Sequence, residues 1–258
     1  MSRVFTGIQG LDDLTSGGFI SGDIVLVTGG PGCGKTTLGL QYLYRGAIDY
    51  GEPGIFVTLD ESPARMIRNA WQFGWDIERL IKENKMRVIH ADPIAYAHYI
   101  PDRGNGDDMH LDTGSKIVET LSKHIERYVG DIEAKRIFID SITSLKISQD
   151  QIQARFTIME LIKNLENLDC TTMLSSEINS GALTYESFSV EEYLSEVVIR
   201  MHTFRMYGNR TRAIEILKMR GGKHDDMLRP YAILDTGLVV YQRETVIDGE
   251  VVGAVKMI

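Results

Sequence analysis

The run Gly29-Gly30-Pro31-Gly32-Cys33-Gly34-Lys35-Thr36 fits the template GxxxxGK[ST] and constrains this chain more than any other feature. Its glycines let successive backbone N–H groups turn toward one point. A helix opening at the same place adds its positive end, so the loop is a cradle for phosphate. The motif needs a strand before it and a helix after it. Residues 24–28 are apolar, mostly β-branched, and stop at the glycines as a buried strand does, while residues 37–50 read as a helix. In that setting Lys35 supplies a mobile charge for the β- and γ-phosphates of ATP. Thr36 supplies an oxygen for Mg2+, and Thr37 closes the cradle.

The rest of the chain continues the α/β rhythm. Residues 54–59 form a second apolar strand, and Ser62-Pro63 then starts a helix, with Ser as N-cap and Pro in the first helical position. That helix is expected to end near Phe73-Gly74. Residues 87–91, 136–139 and 171–175 are further strands, with helices over 116–129 and 151–168 between them. This order predicts a P-loop NTPase fold, a mostly parallel central sheet flanked by helices. After residue 195 the segments 197–204, 213–219, 232–234 and 239–241 follow one another through short connections, an antiparallel extension of the same sheet. Asp248-Gly249, between Thr245-Val246-Ile247 and Val251-Val252, predicts a two-residue hairpin in a tail of about residues 243–258. Residues 92–112 are polar and rich in Gly and Asp, a surface loop or a loop facing substrate or a pore. With no internal repeat and no strong interdomain linker, residues 1–258 read as a single ATPase domain.

Acids sit where such a cradle needs them. Asp140 ends the apolar strand Arg136-Ile137-Phe138-Ile139, the place from which an aspartate holds Mg2+ directly or through water. Asp60-Glu61 follows the second strand, and a carboxylate there can accept a proton from an attacking water or orient it. Neighbours on an extended chain point to opposite sides, so the two do not share one task. The other reading of the pair is an acidic helix start that favours the helix dipole.

Composition narrows the setting. No run approaches the roughly 18 apolar residues of a membrane span, and the start carries no apolar secretory segment. Cys33 and Cys170 have neither metal-like spacing nor a disulfide framework, as expected of a chain kept in a reducing cytoplasm. A net charge of −8 counts against coating nucleic acid, although a local basic stripe is compatible with it.

Taken together the motifs resemble the RecA superfamily, and within it the KaiC-like ATPases. Thr6-Gly7-Ile8-Gln9-Gly10-Leu11-Asp12 resembles that family's opening TGIxGLD. Phe56-Val57-Thr58-Leu59-Asp60-Glu61-Ser62-Pro63 is similar to its FVTFEE[ST]P segment, which carries the catalytic carboxylate pair. Ile139-Asp140-Ser141-Ile142-Thr143-Ser144-Leu145 resembles IDSxTSL, and Lys218-Met219-Arg220-Gly221-Gly222-Lys223-His224 resembles KLRGxxH. The resemblance implies a RecA-like fold and a homo-oligomeric ring, hexameric or similar, with ATP between subunits. It implies that the Lys218–His224 segment reaches the neighbour's nucleotide. Lys218 and Arg220 would then approach the γ-phosphate, Met219, Gly222 and His224 would line the site, and Asp235 would lie near the base or ribose. Lys218 and Arg220 are two apart and share one face of a strand, which suits an anion across an interface.

The chain also departs from the family. Asp60 stands where Glu is usual, so Glu61 is a candidate for the working base. The Ser-Thr pair phosphorylated in the clock protein has no counterpart in Val190-Glu191-Glu192-Tyr193-Leu194-Ser195, so autophosphorylation and a circadian role do not follow. The expectation is a slow regulatory ATPase that binds a partner protein. The alternatives are a recombinase- or helicase-like motor on single-stranded DNA and a binding module with negligible turnover.

Overall fold

The computed structural model describes residues 2–92, 113–146, 151–178, 189–206, 209–247 and 250–252. In chain order, β1 (Arg3–Val4), α1 (Leu11–Leu14) and β2 (Phe19–Ile20) precede β3 (Ile24–Gly29) and α2 (Lys35–Asp49). Then come β4 (Gly54–Thr58), α3 (Pro63–Trp71), α4 (Ile77–Lys82), β5 (Met86–His90), α5 (Thr113–Ile132) and β6 (Arg136–Asp140). A 3-10 turn (Ile142–Lys146) leads to α6 (Gln151–Glu166), β7 (Thr171–Glu177) and α7 (Val190–Leu194). β8 (Val197–Met206), β9 (Asn209–Met219), β10 (Arg229–Leu234), β11 (Gly237–Val240), β12 (Thr245–Ile247) and β13 (Glu250–Val252) complete the described elements.

Nine strands form one sheet in the order β11-β10-β9-β8-β3-β7-β6-β4-β5. From β8 to β5 every pairing is parallel. From β8 to β11 every pairing is antiparallel, as the short connections after residue 195 predict. β3 is buried along its whole length because it has a strand on each side and core on both faces. Its side chains alternate between two apolar clusters. Val25 and Val27 face one with α2, Phe56 and Phe138, while Ile24 and Leu26 face the other with α5 and α6. Helix α2 lies close on the sheet because Gly39 leaves room for Phe138: a Cβ there would stand 2.2 Å from the ring. Arg136 is fully buried and ties three segments together. It pairs with Glu52 and donates to the carbonyls of Tyr42 at 2.9 Å and Phe5 at 2.8 Å.

Some boundaries differ from the sequence reading. α2 starts two residues early because Gly34, at φ 106°, turns the loop directly into the helix and puts Lys35 and Thr36 in its first turn. α4 and α7, six and five residues long, are too short to carry a strong periodic signal in the sequence. β12 and β13 pair antiparallel as a separate two-stranded sheet, with Ile247 opposite Glu250. Their predicted turn, Asp248-Gly249, lies outside the described residues, as does the polar stretch from residue 93 to 112.

Candidate nucleotide site and the cation corner

The glycine loop leaves the sheet at the C-terminal end of β3. The chain runs from β3 through α2 toward β4 on one side, while β8 flanks β3 on the other, the kind of switch point where open α/β sheets bind ligands. Gly29 lets β8 come close, since a Cβ would stand 2.6 Å from the Met201 carbonyl. Lys35 Nζ lies across the loop, donating to Gly29 O at 2.8 Å and Gly30 O at 3.2 Å, with Glu177 Oε1 4.0 Å away. Strands β9 and β10 brace the loop from outside. Arg210 Nη2 donates to Gly32 O at 2.9 Å, and the Tyr231 hydroxyl donates to Cys33 O. The Cys33 side chain is buried, and burial pushes its thiol up. Pro31 is exposed and Thr37 half-buried.

Thr36 and Asp140 meet beside the cradle. Thr36 Oγ1 donates to Asp140 Oδ2 at 2.6 Å, and the Ser175 hydroxyl donates to Oδ1. Burial raises the Asp140 carboxyl, while the bonds from Ser175 and Thr36 and the charge of Lys35 oppose that rise. A hydroxyl and a carboxylate on adjacent elements are a hard oxygen pair of the kind Mg2+ takes, and a cation would relieve the cost of burying the charged carboxylate. Among the described residues no group of three or more His, Cys, Asp or Glu side chains could hold a metal by itself. Two oxygen donors leave most of a cation's shell to other oxygens, so the Thr36–Asp140 pair fits a cation that phosphate oxygens also bind.

Asp60 and Glu61 diverge in the bend that follows β4. The Ser144 hydroxyl donates to Asp60 Oδ1, which joins this acid to the 3-10 turn. Glu61 turns toward α3, where its Oε1 accepts from Asn69 Nδ2 at 3.2 Å and lies 3.9 Å from Arg65 Nε. Thr58 Oγ1 fixes the corner between them, donating to Glu61 O at 2.7 Å and accepting from Glu61 N at 3.0 Å. Burial raises the Glu61 carboxyl, Arg65 counteracts it, and the charge of Asp140 adds to the rise.

Lys218 and Arg220 sit elsewhere. Lys218 pairs with Val198 near the start of β8, whereas Gly29 of the cradle is level with Met201. A register shift between Val198 and Ile199 accompanies this placement. Lys218 Nζ donates to the carbonyls of Glu192 and Tyr193, each at 2.9 Å. Arg220 Nη2 donates to the same Tyr193 carbonyl at 2.9 Å, and its Nη1 is 3.8 Å from Glu196 Oε1. Burial lowers the Lys218 ammonium, and the charge of Arg220 lowers it further. Met219 is packed in the core, Gly222 lies against Met219 and Arg3, and His224 Nε2 is 3.1 Å from Asp226 Oδ1. Asp235 is exposed in the turn between β10 and β11. Among the described residues, no hydrogen bond or ion pair joins any of these six to the glycine loop of the same chain.

The structure also brings in residues that the sequence reading missed: Glu177 facing Lys35, Ser175 on Asp140, Ser144 on Asp60, and Arg210 and Tyr231 on the loop. Ser175 and Glu177 had one usable signal, a strand-end position beside the glycine-loop strand, but it becomes visible only once β7 is known to neighbour β3.

The family model described as ATPase: KaiC matches residues 4–245. The circadian clock oscillator protein KaiC of Prochlorococcus marinus is 36% identical over 242 residues, covering 93% of this chain and 45% of that protein. The chain thus spans about half the length of that curated relative. A UPF0273 protein of Methanocaldococcus jannaschii is 34% identical over 241 residues and matches nearly end to end, 93% of this chain and 97% of that one. Among solved structures, a KaiC-like protein of Pyrococcus horikoshii superposes with a TM-score of 0.77 at 34% identity, covering 93% of this chain and 99% of the other.

Proposed function

The chain belongs to the KaiC family of ATPases, and from that premise we propose that it binds ATP with Mg2+ at residues 29–37 and hydrolyses it slowly in a homo-oligomeric ring. The observation that carries this reading is the contrast between a glycine loop with Lys35 lying across it and a cation pair that, among the described residues, makes no bond to that loop. The 258 residues act as one ATPase domain, the ring is a hexamer in the cytoplasm, and a regulatory protein partner reads its nucleotide state. The net charge of −8 makes nucleic acid the poorer candidate for that partner. Among the described residues no helix is long and apolar enough to cross a membrane.

Each group has a task in this mechanism. Lys35 exchanges its loop carbonyls for β- and γ-phosphate oxygens. Thr36 and Asp140 hold Mg2+, which when bound neutralises phosphate charge. Glu61, with its raised carboxyl, orients the attacking water and takes its proton, while Asp60 is held by Ser144. Lys218 and Arg220 of the neighbouring subunit stabilise charge on the transferred phosphoryl group, with His224, Gly222 and Met219 forming the wall they belong to and Asp235 near the base or ribose. Turnover per subunit should fall steeply when the protein is diluted until the ring dissociates. An undiminished rate in isolated monomers contradicts the shared site. Stimulation by single-stranded DNA with steep salt dependence would favour a recombinase-type motor instead.

A further inference from the structure

We propose that α7 and the 3-10 turn form a positioning link between each nucleotide cradle and the cation pair its subunit delivers to the next cradle, with Glu191 as the residue that closes the link; this rests on the shared-site reading above. The link starts at a buried acid. Glu191 is only 3% exposed, and a carboxylate that deep in a protein needs partners. It accepts from the Lys146 ammonium and from Ser176 Oγ at 3.3 Å. Its helix is five residues long, too short to hold its own shape. Ser189 and Glu192 form a capping box at one end, and Arg200 Nη2 donates to Glu192 at 2.7 Å. At the other end the carbonyls of Glu192 and Tyr193, left without helical partners, hold Lys218 and Arg220. Two of the three N–H donors of the Lys218 ammonium are used there, which fixes where its head sits.

The inner side of α7 leads back to the cradle. Ser176 precedes Glu177, whose carboxylate faces Lys35 and whose N–H donates to Thr143 Oγ1 at 2.8 Å. Thr143, Ser144 and Lys146 lie on one 3-10 turn, and they touch β7, Asp60 and Glu191 respectively. Whether Lys35 lies on its loop or on a phosphate is thus transmitted through Glu177 and Ser176 to the helix that aims the cations. Glu191 does not touch the nucleotide. It is a positioning residue, and its effect should be read in the neighbour's site.

Subunit mixing with full-length chains tests this. Glu191→Gln alone should lower kcat at least about tenfold with KM for ATP unchanged, because loosened cations act only on the transition state. Adding Lys35→Ala chains, which have a dead cradle but keep Glu191 and the contacts that aim their cations, should raise turnover per working cradle. Adding chains with both Lys35→Ala and Glu191→Gln should not. Lys146→Met, at a more exposed partner, should repeat the pattern if Glu191→Gln does not fold. The mixture of Lys35→Ala with Arg220→Ala serves as control. If that control recovers activity while the two additions behave alike, or if Glu191→Gln and Lys146→Met turn over like wild type, the link is overturned and the shared site stands. If the control does not recover, both readings fall.

Discussion

At the C-terminal end of β3 each charged group of the cradle has a counter-group in its own chain: Lys35 has its loop carbonyls and Glu177, and Asp140 has Thr36 and Ser175. Near the N-terminal end of the same strand the arrangement is different. Lys218 and Arg220 rest on the final carbonyls of a single helical turn, next to the carboxylate of Glu196. The first region is a receptacle in which one chain supplies the counter-groups of its own charges. The second is a surface that presents charge outward, and its purpose depends on what docks against it. On the proposed shared-site reading the two regions are halves of one reaction that do not meet within a subunit, and turnover is then a property of assembly.

Four substitutions at three places probe this contrast. The largest effect is expected at the receptacle. Lys35→Ala should abolish measurable ATP binding and cut hydrolysis by at least about a hundredfold, read by calorimetric titration and phosphate release. Binding and turnover at wild-type level would mean that the loop is only a structural turn.

The acid pair comes next. Glu61→Gln should lower kcat about a hundredfold with little change in ATP affinity, and Asp60→Asn should act less strongly. Because burial raises the Glu61 carboxyl, wild-type kcat should begin to fall on acidification at a higher pH than an ordinary glutamate would give. The Glu61→Gln profile should lack that limb. Full activity in both variants would reduce the pair to a helix start.

The smallest effect concerns stability and lies just before β3, near the Glu196 carboxylate that faces Arg220. Asp23 precedes β3, accepts from Ile20 N at 3.1 Å and feels the charge of Glu196. Burial, with Glu196 adding and the Ile20 N–H opposing, raises its carboxyl from 3.8 to about 6. The folded chain therefore holds this proton more tightly than the unfolded chain. Stability contributed by the neutral acid is present below about pH 4 and is lost as pH rises toward 6. Asp23→Asn should be more stable than wild type by about 2 kcal/mol at pH 7, after allowing for partial solvation, and equal to it below pH 4. Denaturant melts at the two pH values measure this, and an equal difference at both would contradict it.

The receptacle was legible in the sequence because it is local. A strand, a glycine loop and a helix start are contiguous, and Asp140 ends β6 while Asp60-Glu61 follow β4, two other strands of the same parallel sheet. The parallel sheet was legible for the same reason, each strand carrying its own apolar run. What escaped notice depends on partners far apart in sequence. Arg136 reads as an ordinary charged residue until Glu52, Tyr42 and Phe5 are folded around it. The role of α7 depends on Lys146, Ser176 and Lys218 meeting across three elements, and no periodicity in Val190–Leu194 announces that. The spacing of Lys218 and Arg220 reads as a pair, but only the register of β9 against β8 places them away from their own loop.

The central claim is that the receptacle of one subunit works with the cations of another. Lys35→Ala and Arg220→Ala should each be nearly inactive as pure assemblies. In randomly mixed rings about a quarter of interfaces join a working cradle to a working arginine, since each condition is met about half the time. Phosphate release should then return toward about a quarter of the wild-type rate, with mixing verified by subunit exchange of labelled chains. Verified mixing with no recovery, or an Arg220→Ala monomer as active as the wild-type monomer, would contradict the account.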